Sequence, residues 1–340
     1  MENKKILITG GAGYIGSHTI TEIFEKTNHQ LVSVDNFSNS SPITYQRIEK
    51  ITGKTIPHYN VDLCDFNSLE QVFEKEKFDG IIHFAAYKSV PESVENPHKY
   101  YHNNLNSLLN VLELALKYQT KHFLFSSSCS VYGNIKEMPV SEETPLNKAV
   151  SPYAYTKQIG EQMLADYANI YPDLQILALR YFNPVGAHPS ALIGEDPINT
   201  PTALVPIITK VASGKMKELS VYGTDYNTRD GSCIRDYIHV CDLANAHLVG
   251  LQYLFDKKNQ HNFDIINIGS GNGISVLEAI KSFEKVAGIT LPIKYSDRRA
   301  GDVESIYSNT KKSEKVLNWK AEKNIDEMMK SAWEWEKGNL

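Results

Sequence analysis

The chain has 340 residues, 41% of them hydrophobic and 22% charged, with a formal net charge of −5. That is the composition of an ordinary globular protein with room for about two domains, and without a basic run or stripe it argues against nucleic acid as a partner. No apolar run approaches the length of a membrane span, and Cys64, Cys129, Cys233 and Cys241 lack the spacing of a disulfide frame or zinc site, so reduced, mostly buried thiols and no bound metal are expected.

In chain order, the first predicted element is a short apolar strand, Lys5–Thr9, which runs directly into Gly10-Gly-Ala-Gly13-Tyr-Ile-Gly16. Tyr14 to about Lys26 reads as a helix with Ile15, Ile20, Ile23 and Phe24 inward. Glycines at this spacing let the backbone turn sharply and approach a pyrophosphate, while the helix start offers free N–H groups and a positive dipole end. The next strand, Gln30–Asp35, ends in a carboxylate 19 residues after Gly16. There it would accept a hydrogen bond from a ribose 2′-hydroxyl and repel a 2′-phosphate, so the motif predicts NAD in preference to NADP. A lone glycine triplet would be weak. Strand, glycines, helix, strand and terminal acid in register are strong.

Further strands are predicted at 55–61, 78–84, 121–127 and 175–180, with helical stretches between them that include a long one within 90–118. This alternation implies a parallel sheet covered on both faces. Asp62, the His83-Phe84-Ala85-Ala86 turn and Ser126-Ser127-Ser128 all fall at strand ends, where ligands bind in such sheets. Segments 183–194 and 223–233 are rich in Gly, Pro, Asn, Asp and Thr and read as long functional loops. A helix at 240–254, a strand at 264–268 and a helix at 276–287 follow. The expected fold class is α/β: a Rossmann-type doubly wound sheet over residues 1–180, then a smaller mixed α/β substrate domain over 181–340. Helix 240–254 is expected to pack back on the first domain.

Ser151-Pro152 opens another helix, with serine as N-cap and proline at the first helical position. On it lie Tyr153 and Lys157, neighbours at i and i+4. Keeping a tyrosine of pKa about 10 ionised at neutral pH costs roughly 4 kcal/mol. One cation about 5 Å away at an effective dielectric near 20 contributes roughly 3 kcal/mol. A second positive charge, such as an oxidised nicotinamide, would close the gap. Tyr153 is therefore the predicted general base, with Lys157 beside its oxygen and Ser128 sharing the proton. His83, His188 and His239 are expected to be structural.

Taken together, the glycine motif, Ser128, Tyr153-x-x-x-Lys157 and Arg180-Tyr-Phe-Asn-Pro-Val-Gly-Ala-His-Pro-Ser190 resemble the extended short-chain dehydrogenase/reductases. Asp196-Pro, Arg235-Asp-Tyr-Ile-His-Val and Arg298-Arg-Ala-Gly-Asp302 narrow the resemblance to the UDP-glucose 4-epimerase subfamily, over nearly the whole chain. That resemblance implies an NAD-dependent isomerase that inverts C4 of a UDP-hexose through a 4-keto sugar, in a homodimer; with no signal segment before Lys5 and no membrane-length apolar run, a cytoplasmic protein without membrane partners is expected.

It also implies site residues. For NAD these are Gly10, Gly13, Tyr14, Ile15, Gly16, Asp35, Asn36, Asn39, Ser40, Asp62, Leu63, Phe84, Ala85, Lys88, Asn103, Ser126, Tyr153, Lys157 and Tyr181. For the UDP-sugar they are Lys88, Ser128, Tyr153, Phe182, Asn183, Leu204, Val221, Tyr222, Arg235, Tyr237, Arg299, Asp302 and Ile306. Two positions depart from the pattern. Ala203 stands where an asparagine often meets the diphosphate. Ile306 is intermediate at a position where tyrosine excludes an N-acetyl group and a small residue admits it, so an enzyme for N-acetylated UDP-hexosamines, or for both classes, is the alternative. A nucleotide-sugar 4,6-dehydratase would need an acid pair after Ser128, where this chain has Cys129-Ser130-Val131. A non-catalytic nucleotide sensor would be expected to lack Tyr153 or Lys157.

Overall fold

A computed structural model describes residues 2–198, 201–299 and 302–339. The first half alternates strand and helix: β1 (Lys5–Thr9), α1 (Tyr14–Lys26), β2 (Gln30–Asp35), α2 (Ile43–Thr52), β3 (His58–Asn60), α3 (Phe66–Lys75), β4 (Gly80–His83), α4 (Val90–Glu95), α5 (Pro97–Lys117), β5 (His122–Ser128), α6 (Pro152–Ile170) and β6 (Gln175–Tyr181). The second half holds β7 (Asn183–Val185), α7 (Leu204–Ala212), β8 (Leu219–Tyr222), β9 (Ile234–His239), α8 (Val240–Phe255), β10 (Phe263–Ile268), β11 (Gly273–Ser275), α9 (Val276–Ala287), β12 (Ile293–Ser296), β13 (Ser305–Ile306) and α10 (Ile325–Gly338).

Seven strands form one parallel sheet in the order β10-β6-β5-β4-β1-β2-β3. Alternate residues of each strand feed opposite cores. Ile6, Ile8, Leu124 and Leu177 pack with Leu243 and Leu251 of α8, while Leu7, Phe123 and Phe125 pack with Leu108 and Leu112 of α5 and Leu164 of α6. Period-two alternation explains the split, because neighbouring side chains point to opposite faces of a strand. β11, β9 and β13, with β7 beside β9, make a second small sheet, and β12 pairs with β8. A third core of Val205, Ile208, Val221, Ile280, Phe283 and Met329 lies in this half.

Several boundaries differ from expectation. The strand expected at 55–61 shrinks to β3, since it sits at the sheet edge with His58 and Asn60 exposed and only β2 to pair with. The helix expected within 90–118 is two helices: Asn96 ends α4 and caps α5, and Pro97 cannot continue the first. Helices α2 and α3 fill two of the expected helical stretches between strands. Strand β10 belongs to the first sheet, paired with β6, although it lies beyond residue 181, and α8 also packs on that sheet. Of the cysteines only Cys233 is buried; the other three are half-buried, and all four are free.

Candidate active site

The glycine loop is shaped by steric necessity. Gly10 has φ +70°, and a Cβ there would lie 2.9 Å from the Ala85 backbone nitrogen; one on Gly16 would lie 2.4 Å from the Gly10 carbonyl oxygen. Side chains are excluded at both positions. Gly13 starts α1 without a side-chain cap, which leaves the first-turn N–H groups for another acceptor. Asp35, buried at the end of β2, accepts from the Ala12 and Phe37 N–H groups at 3.0 and 2.9 Å and from the Ser40 hydroxyl at 2.9 Å. Burial pushes its carboxyl up, and these bonds oppose that shift. Asn39 lies half-buried on the same loop.

Asn36 donates to Asp62 at 3.1 Å, and the Leu63 carbonyl accepts from Asn110 at 2.8 Å. Asp62 and Asn103 share a cavity of about 240 Å³ with Tyr87, Lys99 and His102. The last three were not read from the sequence, because no local motif marks where loop and helix meet. Phe84 packs on His247 with ring centres 4.7 Å apart, and the Ala85 N–H approaches the Thr9 hydroxyl at 3.4 Å. Lys88 reaches across to Glu195 at 2.9 Å and lies over the Tyr14 ring; the Tyr14 hydroxyl donates to the Gly186 carbonyl at 2.6 Å. Ile15 packs against the core beneath the loop.

Strand β5 delivers three serines with three tasks. Ser126 bonds the Tyr181 hydroxyl through its side chain and accepts from Lys157 Nζ through its carbonyl at 2.6 Å. Ser127 points the other way, to Glu161. Ser128 accepts from the Ser130 N–H at 3.2 Å, and its hydroxyl lies near enough to Tyr153 to favour the ionised phenol. Helix α6 starts as expected, the Ser151 hydroxyl accepting from the Ala154 N–H at 3.2 Å.

Electrostatically the pair differs from expectation. Burial pushes Tyr153 up to about 12, with the Ser128 hydrogen bond opposing, and pulls Lys157 down to about 8, with Glu161 opposing. The ammonium bonds a strand carbonyl and faces the Phe125 ring at 4.8 Å. The protein's own groups therefore leave the phenol neutral. Desolvation is the largest cause of the Tyr153 shift. His83 is neutral, pushed down to about 3 by burial, and bonds the Thr9 hydroxyl at 3.0 Å. His239 caps α8 and meets the Ser331 hydroxyl at 3.0 Å, while His188 bonds the Ser190 hydroxyl at 2.8 Å.

The second half brings a different set to the same strand ends. Arg299 grips Asp302 with two bonds of 3.2 and 2.9 Å, and Arg235 approaches the same carboxylate at 3.6 Å while donating to the Val303 carbonyl. Arg299 also lies over Tyr222, 5.3 Å from the ring centre. Ala300 and Gly301, between these motif residues, lie outside the described residues. Two guanidiniums on one carboxylate make a cation-rich surface suited to diphosphate oxygens. Asn183 Oδ1 is buried with no hydrogen-bond partner, the kind of orphan acceptor that a ligand donor satisfies. Phe182 and Ile306 join Val131, Tyr132 and Val140 in a small apolar wall. Val221 and Tyr237 are buried beside it in the third core, with Leu204 at its edge. Ala203 starts α7 with no side-chain cap. Among the described residues, no group of three His, Cys, Asp or Glu side chains is placed to hold a metal.

Residues 7–332 match the family profile described as GDP-mannose 4,6 dehydratase. The chain is 46% identical over 339 residues to UDP-glucose 4-epimerase 2 of Arabidopsis thaliana, covering 99% of this chain and 96% of the relative. It is 44% identical to UDP-glucose 4-epimerase of Bacillus subtilis, covering 98% and 97%. It belongs to the UDP-glucose 4-epimerase family. The fold agrees. The enzyme of that name from Bifidobacterium longum, solved in complex with NAD+ and UDP, superposes with a TM-score of 0.94 at 46% identity over 98% of both chains. The Stenotrophomonas maltophila structure, with bound NAD and formylated UDP-arabinopyranose, gives 0.95 at 40% identity over 99% of both. Despite the name of the family profile, Cys129-Ser130-Val131 follow Ser128 in this chain, so no acid pair for water elimination stands there.

Proposed function

We propose that this chain interconverts UDP-glucose and UDP-galactose by NAD-dependent inversion at C4 through a 4-keto sugar. What supports the reading is a glycine loop closed to a Cβ at Gly10 and Gly16, Ser128, Tyr153 and Lys157 at the end of β5 and the start of α6, and two guanidiniums, Arg235 and Arg299, on one carboxylate. The cradle fits a dinucleotide. Gly10, Gly13 and Gly16 would admit the pyrophosphate, Asp35 would accept from the ribose, and Asp62, Asn103, Tyr181 and Lys157 would complete the site. NAD held there would supply a reversible hydride acceptor for C4 and, in its oxidised ring, a second positive charge beside Lys157.

Tyr153, as the phenolate that this added positive charge favours, would take the proton of the sugar 4-hydroxyl at its oxygen, with Ser128 beside it to pass the proton. Arg235 and Arg299 anchor the diphosphate, so the hexose turns over while the nucleotide stays fixed. Affinity then resides in the nucleotide, and the sugar wall of Phe182 and Ile306 makes few specific contacts. The N-acetylated alternative is not favoured, since the relatives reported above carry the UDP-glucose name.

A homodimer in the cytoplasm is the reading for assembly and location. Exposed Val94, Leu109 and Tyr155 on α4, α5 and α6 support the dimer, and four free cysteines support a reducing compartment. Among the described residues, no helix is long and apolar enough to cross a membrane. Because the reaction has no net redox change, protein purified without added NAD should convert UDP-galactose to UDP-glucose, read by NMR of the products. Strict dependence on added NAD, or loss of water from the sugar, would overturn the proposal.

A further inference from the structure

Residues 186–195, which overlap the loop expected at 183–194, are gripped from both halves of the molecule. From the second half, α10 offers Ser331 and Trp335, four residues apart on one face. The Ser331 hydroxyl accepts from the Ala187 N–H at 3.1 Å, and a Cβ on Gly186 would lie 2.7 Å from that oxygen. A Cβ on Gly194 would lie 2.5 Å from Cγ and Cδ2 of the buried Trp335 indole. Both ends of the segment therefore sit flush on α10. Between them, the His188 N–H donates to the Ile193 carbonyl at 3.1 Å and the Ala191 N–H to the His188 carbonyl at 2.9 Å, which braces the loop internally. Arg47 of α2 lies 5.2 Å from the centre of the Trp335 ring and holds α10 against the first half, so the segment has a fixed base.

From the first half come two residues beside the glycine loop. Tyr14, the first residue of α1, donates to the Gly186 carbonyl at 2.6 Å. Lys88 reaches Glu195 at 2.9 Å, with its ammonium 5.9 Å from the centre of the Tyr14 ring. The segment thus meets the first half at the uncapped start of α1, where the pyrophosphate of NAD is proposed to bind. The Glu195 side chain is only 14% exposed and shares a cavity of about 20 Å³ with Tyr14, Gly186 and Trp335, whereas Lys88 is 54% exposed. The carboxylate is therefore set in place by its surroundings, and the lysine is the partner that can swing away.

We infer that residues 186–195 are a strap across the NAD site and that Glu195 is its latch, a positioning residue that holds Lys88 over Tyr14 and slows cofactor release. The inference rests on the reading that the pyrophosphate lies at Gly10, Gly13 and Gly16. A partly exposed ion pair contributes little by itself. Here it acts with the Tyr14–Gly186 bond: both cross from one half to the other, and both must part before the strap lifts from the start of α1. The contacts with Ser331 and Trp335 lie on the other side of the strap and stay intact. The reaction favours such a closure, because a hydride taken from C4 is returned within the same turnover and the cofactor has no need to exchange.

The test measures how fast bound NAD in the purified holoenzyme exchanges with radiolabelled NAD. Glu195→Gln should speed release by about two- to fivefold, the range of a partly exposed ion pair. Tyr14→Phe, which deletes the bond to Gly186 but keeps the ring, should do the same by a separate route. In a Lys88→Met background Glu195→Gln should add nothing, because the latch is already open. Raising the salt concentration should speed release from wild type and have less effect on Glu195→Gln. Release from Glu195→Gln as slow as from wild type, or slower, overturns the inference. So does an effect of Glu195→Gln that persists undiminished beside Lys88→Met. Wild-type protein that binds no NAD would overturn the cofactor reading itself, and the latch with it.

Discussion

The two halves of the molecule hold their functional groups by different means. In the first half, Gly10, Asp35 and Ser128 sit at the ends of strands of five, six and seven residues that belong to one seven-stranded sheet packed on both faces by apolar cores. In the substrate half the strands are two to six residues long and are joined by polar staples. Asp236 is the central one. Fully buried, it accepts from the Ser270 N–H and hydroxyl at 2.8 and 2.6 Å, the Gly271 N–H at 3.2 Å, and the Ser308 N–H and hydroxyl at 3.0 and 2.6 Å. A site on contiguous apolar strands is fixed by packing, whereas one gathered from distant short strands needs a buried anion to close the loops.

The comparison is most sharply tested where the halves meet. Tyr153→Phe should keep bound NAD and lose roughly 10²- to 10⁴-fold in kcat, the usual range for a general base; full activity would remove Tyr153 from the chemistry. Next in size is Asp236→Ala, which orphans several N–H groups and should destabilise the chain by about 3 kcal/mol or more. Its signature is regional. KM for UDP-galactose should rise while the NAD content of purified protein stays near wild type, and equal loss of both would mean that the halves are not separately held.

A third test concerns acid. His83 in the first sheet, His18 on α1 and His239 at the head of α8 are buried and neutral, each pushed down to about 3. Their ordinary value is near 6.5, so between these limits the unfolded chain binds more protons. Their stabilisation is complete above about pH 6.5 and is lost as pH falls, by about 1.4 kcal/mol per unit for each histidine. Asp35, Glu142 and Asp242 are pushed up and work in the opposite sense, but only nearer the carboxylate range. The urea midpoint should therefore fall between about pH 7 and pH 5, and a flat profile would contradict the neutral assignment. His18, whose ring centre lies 6.4 Å from that of His188, sits at the seam of the halves, so His18→Gln should flatten the slope.

Much of the first half was legible because its signals are local. A strand, three glycines, a helix and an acid occur within the span from Lys5 to Asp35, and the Ser151-Pro152 start of α6 follows from capping chemistry alone. Less was legible where the decisive partner is remote. Nothing near residue 263 says that β10 joins β6, since either sheet could accept an apolar strand. Nothing near Lys88 announces Glu195, 107 residues away. Nor does anything near Glu161 announce that Arg180 and Ser127, opposite each other on neighbouring strands, both bond it.

By itself the sequence determined the parallel α/β plan, the dinucleotide loop and the identity of the phenol and ammonium, because periodicity, glycine and helix spacing act over a few residues. Only the tertiary structure decided the charge states of that pair. Ionisation depends on how much water is removed and which distant charges remain, and burial pushes Tyr153 up and Lys157 down.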